Sequence, residues 1–214
     1  MSNPGAIWKK VQRPLVMSVL CGAMLASLSG CIALVAGGAI SGTLAASDRR
    51  TFGAQTEDQS IQVKSRLRLN NTIGDAGHIN INSFNRRVLL TGEVRDEAMK
   101  AAAEREVRSV EGVISVTNEL EIAGPASYTS RSNDALITTK VKASLVDAKD
   151  ISANSYQVTT ERGTVYMMGR VTSREGSVGS DVARGVGGVV KVVKLFDYIT
   201  EDELRQMQPD PATK

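Results

Sequence analysis

The side chains with the strongest intrinsic chemistry are few: one histidine and two cysteines in 214 residues. Structural zinc takes about four ligands and a disulfide scaffold takes paired cysteines, so neither is expected. His78 falls at the start of a predicted strand, where a surface or hydrogen-bonded histidine is commoner than a general base. The glycines of the C-terminal half do not follow a strand in GxGxxG or GxxxxGKS/T order, so nucleotide binding is not expected. The chain reads as a non-enzyme with no cofactor.

Cys31 is the cysteine whose neighbours give it a task. Residues 1–13 hold Lys9, Lys10 and Arg13 with no acid, Leu15–Leu28 is an uncharged apolar run, and Ser29 and Gly30 are small. That is the layout of a secretory signal, and the run is shorter than the roughly 20 residues of a membrane-spanning helix. Leu28-Ser29-Gly30-Cys31 resembles a bacterial lipobox, which implies cleavage before Cys31 and acylation of its thiol and new amino group. Burial is worth about 0.8 kcal/mol per CH₂, so several acyl chains (palmitate and its like) anchor stably where one does not. Cys21 follows Leu20 and leaves with the leader; a free thiol nucleophile is therefore not expected. Ile32, rather than Asp, at the second mature position implies, by resemblance to proteobacterial sorting rules, export to the outer membrane with the chain facing the periplasm.

Charge agrees with that division. The 26 Lys+Arg exceed the 23 Asp+Glu only through the three leader cations, so residues 31–214 are formally neutral and no nucleic-acid partner is expected. Ile32–Ser47 is rich in Ala, Gly and Ser, and reads either as a flexible tether or as a segment lying on the lipid surface.

The elements that follow repeat. Asp58, Ile61 and Lys64 recur as Asp134, Ile137 and Lys140; Val88, Gly92 and Val94 as Val165, Gly169 and Val171; Gly112-Val113 as Gly188-Val189. The spacing is 76 or 77 residues throughout. Each copy reads as a helix opened by its Asp, an alternating strand (His78–Asn82; Asn154–Thr159), a short turn, a strand ending in Gly-x-Val, a second helix and a final strand. Asn85-Arg86 and Glu161-Arg162-Gly163 are the predicted turns, with Asp96 and Ser173 as N-caps of the second helices. The second copy's second helix is the weaker, because Gly176, Gly179 and Gly185 each cost about 1 kcal/mol relative to Ala. A crossover helix makes strands two and three of each copy parallel. The predicted fold class is α+β: two tandem αββαβ domains, each a three-stranded mixed sheet packed on two helices, with the domains touching.

The lipobox followed by two αββαβ copies with Gly-x-Val strands resembles the dual BON-domain lipoproteins of the proteobacterial outer membrane. The most specific parts are Asp48-Arg49-Arg50-Thr51, Gly53 and Gln55, then Ser132-Asn133-Asp134 with Ile137 through Lys142, Thr159-Thr160-Glu161 with Gly163, and Met168-Gly169 with Val171-Thr172. The expected order is a signal peptide (1–30), a lipid-anchored linker (31–55), a first BON domain (56–124), a linker (125–132), a second BON domain (133–200) and a tail (201–214). The resemblance implies support of outer-membrane integrity, gathering at the division site, and binding of anionic phospholipid (phosphatidylglycerol or cardiolipin) by the second domain's first helix.

At about 100° per residue, Val141, Ser144 and Leu145 share Ile137's side of that helix and face the sheet. Leu136, Thr139, Ala143 and Val146 lie opposite, flanked by Lys140 and Lys142. An apolar strip between lysines suits an anionic headgroup layer. Val182 and Gly187 are candidate extensions, and Ile137 completes the phospholipid-binding set. Leu136 stands where family members carry Trp. In the first copy Ser60 replaces Leu136, Ser65 replaces Val141, and Lys64, Arg66 and Arg68 crowd the surface, so the membrane task is expected of the second domain. The alternatives are that Leu136 and Val146 pack on the linker or first domain, and that the protein is an adaptor for outer-membrane assembly machinery or peptidoglycan-remodelling proteins.

Overall fold

The computed structural model describes residues 48–207; Cys31, the leader, residues 32–47 and residues 208–214 lie outside the described residues. The chain runs α1 (Phe52–Thr72), β1 (His78–Phe84), β2 (Arg87–Val94), α2 (Glu97–Arg108) and β3 (Ser115–Ile122). It then repeats as α3 (Tyr128–Asp147), β4 (Tyr156–Glu161), β5 (Thr164–Thr172), α4 (Ser173–Arg184) and β6 (Lys191–Ile199), ending in α5 (Glu201–Met207). In each copy the hairpin is antiparallel and the third strand joins the second in parallel, His78 opposite Glu93 and Val94 opposite Ile122 in the first. The strand orders are β1-β2-β3 and β4-β5-β6.

Four local readings change. Asp58 and Asp134 do not open their helices: Thr51 and Ser127 are the N-caps, taking the Ala54 and Ser130 amides, so α1 and α3 begin at Phe52 and Tyr128, inside what read as linkers. Thr172, rather than Ser173, caps α4 through a reciprocal pair with Glu175. Asn154 and Ser155 form a 3₁₀ turn before β4. Asp96 caps α2 as expected.

Freed from capping, the two aspartates hold the hairpins. Asp58 is buried; its Oδ1 accepts from Ser83 Oγ (2.6 Å) and the Arg86 amide (2.8 Å), its Oδ2 from the Asn85 amide (2.8 Å). Asp134 accepts from the Arg162 and Gly163 amides, both at 2.9 Å. The turn residues Asn85, Arg86, Arg162 and Gly163 all have positive φ (49°, 64°, 49° and 74°), as two-residue hairpin loops require. Three of the four carry a Cβ, and the charge-assisted bonds to a buried carboxylate offset that strain.

The central strands are buried on both faces. Val88, Leu90 and Val94 enter the first domain's core with Ile61, Leu69, Val107 and Leu120; Val165, Met167 and Val171 enter the second's with Ile137, Val141, Leu145 and Phe196. The intervening Leu89, Tyr166 and Met168 join Phe84 in a third cluster that binds the domains sheet to sheet. The runs Val88-Leu89-Leu90 and Val165-Tyr166-Met167-Met168 are continuous because each strand serves two cores. Gly92 lets the start of β1 close in and Gly169 the turn that leads into β4: a Cβ there would sit 2.0 Å from His78 O and 2.3 Å from Ser155 O. Gly176 and Gly179 weaken α4 as a helix but admit rings, a Cβ meeting Tyr198 at 3.0 Å and Tyr156 at 2.8 Å respectively.

Polar contacts complete the seam. Asn80 donates to Glu161 (2.9 Å), Asn85 to Asp197 (2.8 Å) and Thr159 to Asn82 (3.3 Å). Ahead of α1, neighbouring arginines grip different domains. Arg50 donates to Asp58 (2.8 Å) and lies 4.2 Å over the Phe84 ring. Arg49 forks onto Glu175 of α4 at 2.7 and 2.8 Å and reaches Arg170 O at 3.0 Å. Burial alone would raise the Glu175 carboxyl, but the Arg49 fork, the Thr172 amide and the charge of Arg174 outweigh it and hold the group below the usual carboxylate range.

Two outcomes are expected. Asp134→Ala strands two turn amides and should lower stability by about 2–3 kcal/mol in urea unfolding, against about 0.5 kcal/mol or less for the exposed Leu136→Ala. Because the folded pKa of Glu175 is depressed, its contribution is full above the unfolded carboxylate value and fades as pH falls through the folded one. Unfolding curves of wild type and Arg49→Gln should therefore lie furthest apart near neutral pH and converge on acidification below about pH 4.

Candidate functional site

The helix α3 is fixed on one side and bare on the other. Ile137, Val141 and Leu145 are no more than 1% exposed, and Thr138 Oγ1 bonds Thr160 Oγ1 at 2.7 Å, tying the helix to β4. With Asp134 on the hairpin, its rotation is set. Leu136 is 59% and Val146 70% exposed, and Thr139, Lys140, Lys142 and Ala143 are exposed between them. Leu136 and Val146 therefore do not pack on the linker or the first domain. Thr139 donates its hydroxyl to Ala135 O at 2.9 Å, within its own helix, so that bond is already made before any surface is met. Neither lysine forms an ion pair among the described residues.

Two of the proposed residues belong elsewhere. Ile137 lies in the core, where it meets Gly188: a Cβ there would be 3.1 Å from it. Val182 is half-buried against the same core, because α4 turns that side toward the sheet. Gly187 is exposed, with open space beside it.

Two further large apolar groups of the second domain are exposed that sequence reading did not single out. Val190 is 82% exposed on the loop before β6, where its amide donates to Gly163 O at 2.9 Å and thus sits beside the turn that Asp134 holds. Tyr128, 88% exposed, opens α3 and lies 18 residues from Val146, about five full turns, on the same strip of the helix. The Ser127 cap is the signal that would have revealed it, since it carries the helix back through residues that read as linker.

The first domain is not bare of outward apolar groups: Val63 and Leu67 are 58% and 60% exposed on α1, and Ile114 is 62% exposed where the second copy has Val190. Two of the three cations on its first helix, Lys64 and Arg68, differ in being partnered. Lys64 lies 3.8 Å from Glu111, and Arg68 lies 3.7 Å from Glu106 and donates to Ser109 at 2.8 Å. Ser60 stands at the Leu136 position and Ser65 is buried at the Val141 position. Among the described residues no group of three or more His, Cys, Asp or Glu is placed to hold a metal, and no helix is long and apolar enough to cross a membrane.

Comparison with known proteins agrees with the duplicated fold. The BON domain family matches residues 56–124 and again 133–200. The chain is 34% identical to Outer membrane lipoprotein DolP of Haemophilus influenzae over 185 residues, covering 86% of this chain and 95% of that protein. It is 28% identical to the 21 kDa hemolysin of Actinobacillus pleuropneumoniae, covering 71% of this chain and 79% of that one, and 29% identical to Osmotically-inducible protein Y of Escherichia coli over 53% and 58%. With two matched domains, the Gly-x-Val strands and a DolP relative aligned over most of its length, the chain belongs to the BON-domain family as a dual-BON protein of the DolP type.

Proposed function

We propose that the protein is an outer-membrane lipoprotein, anchored through acylated Cys31 and facing the periplasm, whose second BON domain reads anionic phospholipid at the inner leaflet. The observation that carries this reading is the outward face of α3, with Leu136, Ala143 and Val146 exposed between the unpaired Lys140 and Lys142. The DolP relative supports the compartment. Tyr128 and Val190 extend the contact, and Tyr128 supplies the amphipathic ring that favours the headgroup layer, a part Leu136 cannot play.

Magnitudes assign the labour. Seating Leu136 and Val146 gains about 1–2 kcal/mol each, and each lysine near an anionic surface about 1 kcal/mol. Together these come to about 4–6 kcal/mol, an affinity between about millimolar and some tens of micromolar, enough for measurable binding at millimolar lipid and low salt but too weak for lasting attachment. The acyl chains hold it, and α3 sets which face of the folded domains meets the lipid and which leaflet composition is preferred. A task in outer-membrane integrity, with gathering at the division site, fits a sensor whose contact is weak and reversible.

Co-flotation of residues 47–214, without the anchor, tests the reading. Binding to phosphatidylglycerol vesicles and not to phosphatidylcholine is expected at low salt, fading as salt rises. Leu136→Asp and the Lys140→Glu, Lys142→Glu double variant should each lower the bound fraction by about tenfold or more, with Tyr128→Ser intermediate. No binding to anionic vesicles at low salt would sink the lipid reading, and a protein adaptor at outer-membrane assembly or peptidoglycan remodelling would take its place.

A further inference from the structure

Between the first half of α1 and the β4 strand of the second domain lies an open groove of about 450 Å³. Five glutamines fall among the described residues, and four of them, Gln55, Gln59, Gln62 and Gln157, line this groove. The first three recur at i, i+4 and i+7 and so share one side of α1, while Gln157 comes from β4. Gln55, Gln62 and Gln157 are half-buried. Gln55 gives an amide N–H to Arg50 O at 3.3 Å and Gln157 one to Asn82 Oδ1 at 3.4 Å, so the carbonyl oxygen of each is left without a protein partner. The side chains of Gln59 and Gln62 form no hydrogen bond among the described residues. On the same lining Phe52 is 81% exposed, whereas Phe84 and Phe196 are buried. The charged side chains of the groove, Arg50 and Asp58, are already paired. Arg50 bonds Asp58 at 2.8 Å and Asp48 at 2.7 Å, and Asp58 is further met by Ser83 and the turn amides.

These features select a ligand class. An anion finds no free cation here, and a cation finds no free carboxylate. A side-chain amide both donates and accepts, as a sugar hydroxyl does, so several amides on one wall match a row of hydroxyls with no net charge. An exposed aromatic face packs on the C–H face of a pyranose ring. A peptide would bring side chains that need apolar pockets, and Phe52 is the one apolar side chain on the lining. We propose that this groove binds an uncharged saccharide, its hydroxyl or acetamido groups on the four glutamines and one ring face on Phe52. The volume lies at the compact end of small-molecule sites, about 300–1,000 Å³, so a short stretch of sugar chain is gripped. Gln157 belongs to the second domain and the other contacts to α1, so an occupant joins the domains and stabilises their seam by mass action. The groove is separate from the outward face of α3 and does not depend on the lipid reading.

Chitotriose, maltotriose and trigalacturonate present the acetamido, hydroxyl-only and anionic forms at one chain length, and a blocked alanine dipeptide presents the peptide alternative. Each is titrated into the isotope-labelled full-length chain in a phosphocholine detergent, which carries no sugar, following the glutamine side-chain amides and the backbone amides of Phe52 and Gln157. Saturable shifts with one or both neutral sugars are expected, with dissociation constants of about 0.1–10 mM that hold from low to high salt. The sugar preferred shows whether an acetamido group or hydroxyls alone are read. Phe52→Ala, the Gln59→Ala, Gln62→Ala double variant and Gln157→Ala should each weaken binding by about fivefold or more, leaving anionic-vesicle binding unchanged. The proposal is overturned if neither neutral sugar saturates by about 50 mM, if trigalacturonate or the dipeptide binds as tightly as the better neutral sugar, or if either Phe52→Ala or the double variant binds like wild type.

Discussion

What α3 presents to the outside depends on a carboxylate turned inward. Asp134 takes both amides of the β4–β5 turn, and with Ile137, Val141 and Leu145 seated on the sheet the helix cannot rotate. Leu136, Ala143, Val146 and the two lysines are then held outward. Asp58 does the same in the first domain, where the turn has no glycine and the carboxylate takes two more donors, Ser83 and Arg50. Loss of either aspartate would leave buried amides unmet and a positive-φ turn without its partner, so the fold and the surface chemistry share one interaction.

The second constraint is the double use of β2 and β5. One side chain in two faces its own domain's helices, and the alternate one joins Phe84, Leu89, Tyr166 and Met168 between the sheets. That leaves the helices of both domains on the outer faces, free to meet a membrane or a partner. The seam is closed by adjacent residues with opposite allegiances: Arg50 to Asp58 in the first domain, Arg49 to Glu175 in the second.

Much of this was legible in the sequence. A repeat of 76 or 77 residues with Gly-x-Val strands fixes the element order, and the crossover helix requires parallel pairing of the second and third strands, which the register bears out. The 3.6 period placed Val141 and Leu145 inward and Leu136 and Val146 outward. The aspartates misled because an Asp before an amphipathic run has the local look of a cap, while its partners sit 25 to 29 residues away in the hairpin. That error also hid Tyr128 by starting α3 late. Ile137 and Val182 were over-assigned to the surface, since the former's own period pointed to the core and the latter's packing depends on how α4 meets the sheet. The arginine pair after residue 48 carries no local signal, because a charge reads as solvated until its long-range partner is known.

Depth measurement tests the central claim most directly. The acylated full-length chain, isotope-labelled and placed in nanodiscs containing phosphatidylglycerol with spin-labelled acyl chains, reports which amides approach the lipid. Among the described residues the strongest broadening is predicted along Leu136, Thr139, Ala143 and Val146, with Tyr128 and Val190 at its margins, and much less at the buried central strand β5. Broadening centred on Val63 and Leu67 of α1, or absent from both helices, would contradict the account.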